Sequence, residues 1–240
     1  MCALESDGSL WCWGCGTYGQ LGNGGTQNML TPNQVQGSLI MTTVAAGYQH
    51  TCAVSNGYLY CWGYNNYGQL GMGDTSTGHT YPYAYILDPV KQVAAGSYHT
   101  CALRHDGSLY CWGDNSGGQL GLGDVTPRTS PPTTPSMTQV VQVAVAASST
   151  CARRKDGAVW CWGYNGEGEV GDGTGVNSVV PVLVPGLSSS GWIVGGSSES
   201  CSIATDSTVA CWGRNFHGKF GNGTTLTAWI PTPLGGVTGL

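Results

Sequence analysis

The chain has 240 residues, of which 40 are glycine, 11 cysteine and only 9% charged, with a net charge of −5. So little charge excludes a coiled coil, and 40% hydrophobic residues exclude ordinary charged disorder. No apolar run of about 18 residues is present to cross a membrane as a helix, and 8 Lys and Arg are too few to build a nucleic-acid-binding patch.

Along the chain, Cys-Trp-Gly recurs at Cys12, Cys61, Cys111, Cys161 and Cys211, in steps of 49, 50, 50 and 50 residues. A second cysteine precedes each, at Cys2, Cys52, Cys101, Cys151 and Cys201. A period near 50 residues, made of short apolar runs between glycines, is the pattern of propeller blades or solenoid turns. Segments such as QVAAG, CALRHD and SLYCWG have strand length, and no segment carries ten residues of helical periodicity. The expectation is therefore an all-β protein, a β-propeller of four-stranded blades. Its single domain divides into repeats at approximately 1–40, 41–90, 91–140, 141–190 and 191–240.

The first repeat begins at its first cysteine, without the V-xx-VAAG-xxHT strand that opens the other four. The last stops at PLGGVTGL, where that strand would start again. One strand is thus expected to be missing at the chain ends, leaving three outcomes: a longer propeller, an open arc, or a ring completed by another copy.

Within each repeat the cysteines frame a hairpin. Folding 101–111 about Asp106 sets Ala102 opposite Tyr110 and Leu103 opposite Leu109, with Gly107 at the left-handed position of a three-residue loop. Gly8 and Gly157 fill the same place. The second repeat has one residue fewer between its cysteines, and its turn is Asn56-Gly57, a two-residue type I′ signal that needs one residue fewer. The fifth turn, Thr205-Asp206-Ser207, lacks the glycine and predicts the least regular hairpin. In all five the cysteines fall opposite each other at a non-hydrogen-bonded pair, where Cα atoms lie about 4.5 Å apart, within disulfide range. Five intra-blade disulfides are expected: Cys2 with Cys12, Cys52 with Cys61, Cys101 with Cys111, Cys151 with Cys161 and Cys201 with Cys211. Zinc sites want shorter gaps and four ligands together. Paired cysteines imply an oxidising, extracellular or cell-surface location. Cys15 is left over, as a free or intermolecular thiol, in a slot filled elsewhere by Tyr64, Asp114, Tyr164 and Arg214.

The HTCAL…DG…YCWG-N…GQLG-G pattern resembles the regulator of chromosome condensation (RCC1) repeat, over nearly the whole chain, in the cysteine-framed form of bacterial extracellular members. The resemblance implies a propeller, usually of seven blades. That propeller is shared by a nuclear guanine-nucleotide exchange factor, a secreted β-lactamase inhibitor protein that binds through loops, and a plant ultraviolet photoreceptor with a tryptophan cage. Here Trp62, Trp112, Trp162 and Trp212 occupy the repeat's own core position.

No Ser/His/Asp or Cys/His constellation stands out, so no catalytic residue, cofactor or metal is expected. His50 and His99 read as structural, bonding backbone, and Asp7, Asp106 and Asp156 as turn residues. Two readings stand for the loop aromatics Tyr64, Tyr67, Tyr164, Tyr81, Tyr83 and Tyr85: packing between loops, or stacking on sugars and anchoring a protein partner. Thr126, Thr129, Thr133 and Thr134 lie in the Ser/Thr/Pro-dense segment VTPRTSPPTTPSMT, which has the composition of an O-glycosylated stretch. Asn222-Gly223-Thr224 is an N-glycosylation acceptor pattern. The functional expectation is a non-enzymatic extracellular scaffold that binds a protein partner or further copies of itself, with no nucleic acid and no membrane insertion. A secreted inhibitor or lectin is the alternative, and nucleotide exchange the remote one.

Overall fold

The structure, a computed structural model, describes residues 1–83, 87–187 and 189–234. Among the described residues there are strands but no α-helix. The first sheet runs β1 (Cys2–Leu4), β2 (Leu10–Gly14), β3 (Met29–Gln34), and the second β4 (Met41–Ala46), β5 (His50–Ser55), β6 (Tyr58–Gly63), β7 (His79–Tyr83). The third is β8 (Val90–Ala95), β9 (His99–Arg104), β10 (Leu109–Gly113). The fourth follows as β11 (Val140–Val145), β12 (Ser149–Arg154), β13 (Val159–Gly163), β14 (Ser178–Leu183), and the fifth as β15 (Ser190–Gly195), β16 (Glu199–Ala204), β17 (Val209–Gly213), β18 (Ala228–Pro233). Every sheet is antiparallel, with strands in chain order.

Among the described residues the first sheet lacks its inner strand, as the repeat pattern expects. The third departs from the four-stranded expectation in lacking an outer strand: a single bridge, Gly113 to Arg128, stands in its place. Pro127, Pro131, Pro132 and Pro135 crowd that segment, and proline supplies no N–H for a ladder.

The hairpin arithmetic holds in the register. Leu103 faces Leu109 and Ala102 faces Tyr110. Asn56 and Gly57 both take positive φ, 52° and 81°, as a type I′ turn requires. The fifth hairpin is as regular as the others, because Ser207 adopts the left-handed φ of 69° that glycine supplies elsewhere, while Asp206 accepts the Thr208 N–H at 2.9 Å. In each hairpin the two cysteines face each other and are bonded, with Cα atoms 4.1 Å apart.

The chain forms two compact units, Met1–Asp114 with Pro127–Pro135, and Asn115–Thr126 with Ser136–Leu240. The first three sheets lie in one, the last two in the other. Inside each unit one rule governs packing: the disulfide face of a sheet covers the opposite face of the next. Cys12, Leu10 and Leu21 meet Met41, Ala53 and Trp62. Cys52, Cys61, Leu59 and Leu70 meet Val90, Val93, Ala102 and Trp112. Cys151, Cys161, Val159 and Val170 meet Ile193 and Trp212.

One hydrogen bond repeats with this packing. The indoles of Trp62, Trp112, Trp162 and Trp212 donate to the carbonyls of Gln20, Gln69, Gln119 and Glu169, one repeat back, at 2.9–3.0 Å. Thr51, Thr100 and Thr150 donate their hydroxyls to the first three of those carbonyls at 2.8 Å. The indole approaches so closely that a Cβ on Gly22 would lie 2.7 Å from Trp62, and one on Gly171 2.5 Å from Trp212. Glycine in Gln-Leu-Gly is therefore an absence of side chain that the next tryptophan fills.

Candidate functional site

Four of the five long loops after Trp-Gly are knitted by a fully buried asparagine; the first has Gly16 at that position. Asn115 accepts the Leu120 N–H at 3.0 Å and donates to the Asp124 carbonyl at 2.9 Å; Asn65, Asn165 and Asn215 accept from Leu70, Val170 and Phe220 in the same way. The glutamine that follows turns its side chain back: Gln20 accepts the Tyr18 N–H and Gln69 the Tyr67 N–H, at 2.9 and 3.0 Å. These loops leave from the same strand ends as the short connectors after Val-Ala-Ala-Gly. Tyr64 is tied to one of them, its N–H donating to the Gln49 carbonyl at 2.9 Å.

The result is a contiguous patch of five tyrosines in the first unit. Tyr18 stands edge-on to Tyr64 with ring centres 4.8 Å apart, and Tyr64 neighbours Tyr67 and Tyr98 at 6.4 and 5.9 Å. Tyr67 lies 4.7 Å from Tyr98 at a tilt of 32°, and Tyr48 closes the row 6.0 Å from Tyr98. Tyr18, Tyr48 and Tyr67 remain exposed. Burial pushes the Tyr98 phenol up, and the four neighbouring phenols add to the shift. The flanking segments 15–28, 47–49, 64–78 and 96–98 contain no Lys or Arg, and Asp74 is their one acid.

Of the aromatics singled out in the sequence, the patch gathers only Tyr64 and Tyr67. Tyr81 and Tyr83 are exposed on the outer strand β7, where the Tyr81 ring covers Gly24 and Tyr83 stands 5.8 Å from His79. Tyr164 lies in the second unit, its ring over Gly166. Tyr85 lies outside the described residues. Tyr18, Tyr48 and Tyr98 escape sequence reading. The usable signal is topological, since Tyr18 shares the repeat position of Tyr67, while Tyr48 and Tyr98 sit in the connectors that emerge beside it.

Cys15 is exposed and unpaired, its sulfur 3.3 Å from the Thr17 hydroxyl, a contact that holds the thiol below its usual pKa. It lines a shallow cavity of about 100 Å³ with Met1, Tyr48 and His50. His50 is buried, and its Nε2 meets the hydroxyl of Thr100 at 2.9 Å, a side chain of the next repeat rather than the expected backbone. That hydroxyl gives its proton to Gln69, so Nε2 carries the hydrogen and Nδ1 is left bare. Burial holds His50 down at about 3 and His99 at about 4. Among the described residues no three His, Cys, Asp or Glu side chains are grouped to hold a metal ion. Asp7, Asp106 and Asp156 accept the N–H two residues on, as turn residues do. Asn222 is likewise engaged by Thr224. In the proline-dense loop Thr126, Thr133 and Thr134 are exposed, while Thr129 packs over Gly68.

Five repeats of one disulfide-framed sheet, locked each to the next within a unit by a tryptophan on a backbone carbonyl, agree with a family comparison. The model of the RCC1-like domain matches residues 1–240. The chain belongs to the RCC1-like domain family. This RCC1-like domain superposes on human WBSCR16 with a TM-score of 0.86 at 24% identity, covering 97% of this chain and 64% of that one. It superposes on yeast RCC1 (Prp20), solved bound to Kap60, with a TM-score of 0.84 at 23% identity, covering 97% and 58%. These likenesses establish the β-propeller fold. In sequence, the Caenorhabditis elegans "X-linked retinitis pigmentosa GTPase regulator homolog" is 44% identical over 54 residues, 21% of this chain. The RCC1-like domain spans 4% of that relative's length, and 12% of the Arabidopsis thaliana ultraviolet-B receptor, to which it is 44% identical over 55 residues. The five cysteine pairs are consistent with an oxidising compartment, and among the described residues no helix is long and apolar enough to cross a membrane.

Proposed function

We propose that this RCC1-like domain is a non-enzymatic extracellular scaffold, of the cysteine-framed bacterial type, that binds a protein partner through its tyrosine patch. The observation that carries this is the unbroken row Tyr18, Tyr64, Tyr67, Tyr98, Tyr48, partly exposed and nearly free of charge. Tyrosine offers large contact area at small entropic cost and is enriched where interfaces concentrate their energy. A stapled frame beneath it keeps the rings preorganised. With no Lys or Arg around the rings, binding depends on packing and phenol hydrogen bonds and is only weakly sensitive to salt. The exposed threonines Thr126, Thr133 and Thr134 are the glycosylation candidates of this reading.

Affinity capture from the extracellular fraction of the source cells tests this. The wild-type chain is compared with Tyr67→Ser/Tyr98→Ser and with Tyr81→Ser/Tyr83→Ser as an off-patch control. Loss of a stoichiometric partner with the first pair alone supports the reading. Equal capture by all three contradicts it. A bound oligosaccharide in place of a protein supports the lectin alternative, for which stacked rings are also suited. Nucleotide exchange draws its support from relatives such as the Caenorhabditis elegans GTPase regulator homolog, and Prp20p of Saccharomyces cerevisiae, a solved structure described with its binding to Gsp1p and histones.

Self-association belongs to the same scaffold reading. It is favoured by the fifth sheet, where Trp192 and Val194 are 54% and 45% exposed.

A further inference from the structure

We propose that the tyrosine row is an oxidative cross-linking site, at which Tyr67 and Tyr98 join ring to ring as dityrosine. The residues are those of the binding patch, but the chemistry is covalent. Its co-reactant is a one-electron oxidant, a haem peroxidase with hydrogen peroxide.

The geometry favours one pair. Tyr18 meets Tyr64 edge-on at 65°, and Tyr48 meets Tyr98 edge-on at 84°. In such pairs the edge of one ring points at the face of the other. Tyr67 and Tyr98 differ: their ring centres are 4.7 Å apart and their planes are only 32° apart, so the two rings lie nearly face to face. A phenoxyl radical carries much of its unpaired spin on the ring carbons next to the hydroxyl carbon. Two such rings already in contact couple as an intramolecular step, at an effective concentration far above that of free tyrosine.

The row leads to that pair. Tyr18, Tyr48 and Tyr67 are exposed to an oxidant, while Tyr98 is partly buried among them. Tyr48, Tyr64 and Tyr67 stand 6.0, 5.9 and 4.7 Å from Tyr98, and Tyr18 reaches it through Tyr64 at 4.8 Å. A hydrogen atom lost at an exposed ring is replaced from its neighbour, so two separate oxidations converge on the central pair. The frame keeps that pair in place: Tyr67 follows β6 and Tyr98 joins β8 to β9, and both hairpins are closed by disulfides, Cys52 to Cys61 and Cys101 to Cys111.

Tyr81 and Tyr83 are the contrast. They are more exposed than Tyr67, at 51% and 59% against 41%. They stand on the outer strand β7, where Tyr81 covers Gly24 and Tyr83 neighbours His79. Exposure alone would select them, whereas ring geometry selects Tyr67 and Tyr98.

The step balances. The peroxidase takes one hydrogen atom from each of the two phenols. The radicals join through one ortho carbon of each ring, forming a carbon–carbon bond. Each joined carbon then releases its hydrogen as a proton, the oxygen of the same ring takes one up, and both phenols are restored. The two hydrogen atoms removed reduce one hydrogen peroxide to two waters.

The test treats the dilute 240-residue chain with peroxidase and hydrogen peroxide, its disulfides intact and Cys15 alkylated so that thiol oxidation does not compete. Dityrosine fluorescence of the isolated monomer gives the yield. Peptide mapping gives the site, as two tyrosine peptides joined with the loss of two hydrogens. The expected product links Tyr67 to Tyr98. Tyr67→Phe and Tyr98→Phe each keep a ring in place and are each expected to lower the monomer's dityrosine about tenfold or more. Tyr81→Phe/Tyr83→Phe is expected to leave it unchanged. Monomer dityrosine that survives Tyr67→Phe and Tyr98→Phe overturns the proposal. So do links made chiefly through Tyr81 or Tyr83, and so does coupling found only between chains or not at all. Partner capture by the unoxidised chain is measured separately, so failure here leaves the binding reading standing.

Discussion

The indole of Trp112 donates to the carbonyl oxygen of Gln69, 43 residues earlier and one repeat back, at 3.0 Å. Thr100 donates its hydroxyl to the same oxygen at 2.8 Å, and both groups are fully buried. Trp112→Phe keeps most of the apolar contact and leaves the carbonyl one donor short, an expected loss of about 1–3 kcal/mol. Trp112→Ala adds a cavity and costs about 3–5 kcal/mol. Urea unfolding, read as a shift in midpoint at constant slope, measures both. A Thr100→Val/Trp112→Phe double variant more destabilised than the sum of the singles shows that the two donors share one acceptor, because only the double leaves the buried carbonyl with no donor.

The glycine that faces each indole is equally open to test. Gly171→Ala places a Cβ 2.5 Å from Trp212, with φ at +74°, so the indole must move. The expected cost is about 1–3 kcal/mol. The same change at Gly221, where no atom lies within 4 Å, costs only the backbone strain and is the smaller of the two. Paired thermal melts compare them.

Acid sensitivity follows from the histidines. His50 is held at about 3 and His99 at about 4 in the folded chain, below the ordinary 6.5, chiefly by burial. The unfolded chain therefore binds more protons below about pH 6.5, and stability falls as pH drops from there toward the folded values. Above that pH the contribution is complete. His50→Gln is expected to flatten the pH dependence of the urea midpoint over that window. An unchanged slope contradicts the assignment.

How much of this is legible without a structure differs by element. The hairpins are: Asn56-Gly57 and one lost residue explain each other, and counting outward from the turn sets Ala102 against Tyr110. Turn geometry is a local property, and five copies repeat the answer. The missing outer strand of the third sheet is less so. Its prolines mark a loop, but Arg128 still makes one bridge to Gly113. The tyrosine patch is hidden because it depends on which loops emerge together. Tyr48 and Tyr98 lie in short connectors with no motif of their own, and only packing brings Tyr98 to 4.7 Å from Tyr67. Tyr81 and Tyr83 mislead for the same reason: alternation puts them on an outer strand, not on the loop face.

The staples carry measurable stability. Each closes a loop of about 11 residues, for which chain entropy gives about 3 kcal/mol at most. Cys101→Ser/Cys111→Ser is expected to lose about 2–3 kcal/mol, while Cys15→Ser, at an exposed thiol, changes stability by less than about 0.5 kcal/mol. Denaturation with and without reductant checks both values.

Peptide mapping of the chain under non-reducing conditions tests the frame most directly. The expected result is five cross-links, each joining the two cysteines of one hairpin, with Cys15 alone open to alkylation in the monomer. Alkylation of the framework thiols, or links running between different hairpins, would remove the rigid support on which the tyrosine patch and the oxidising location both depend.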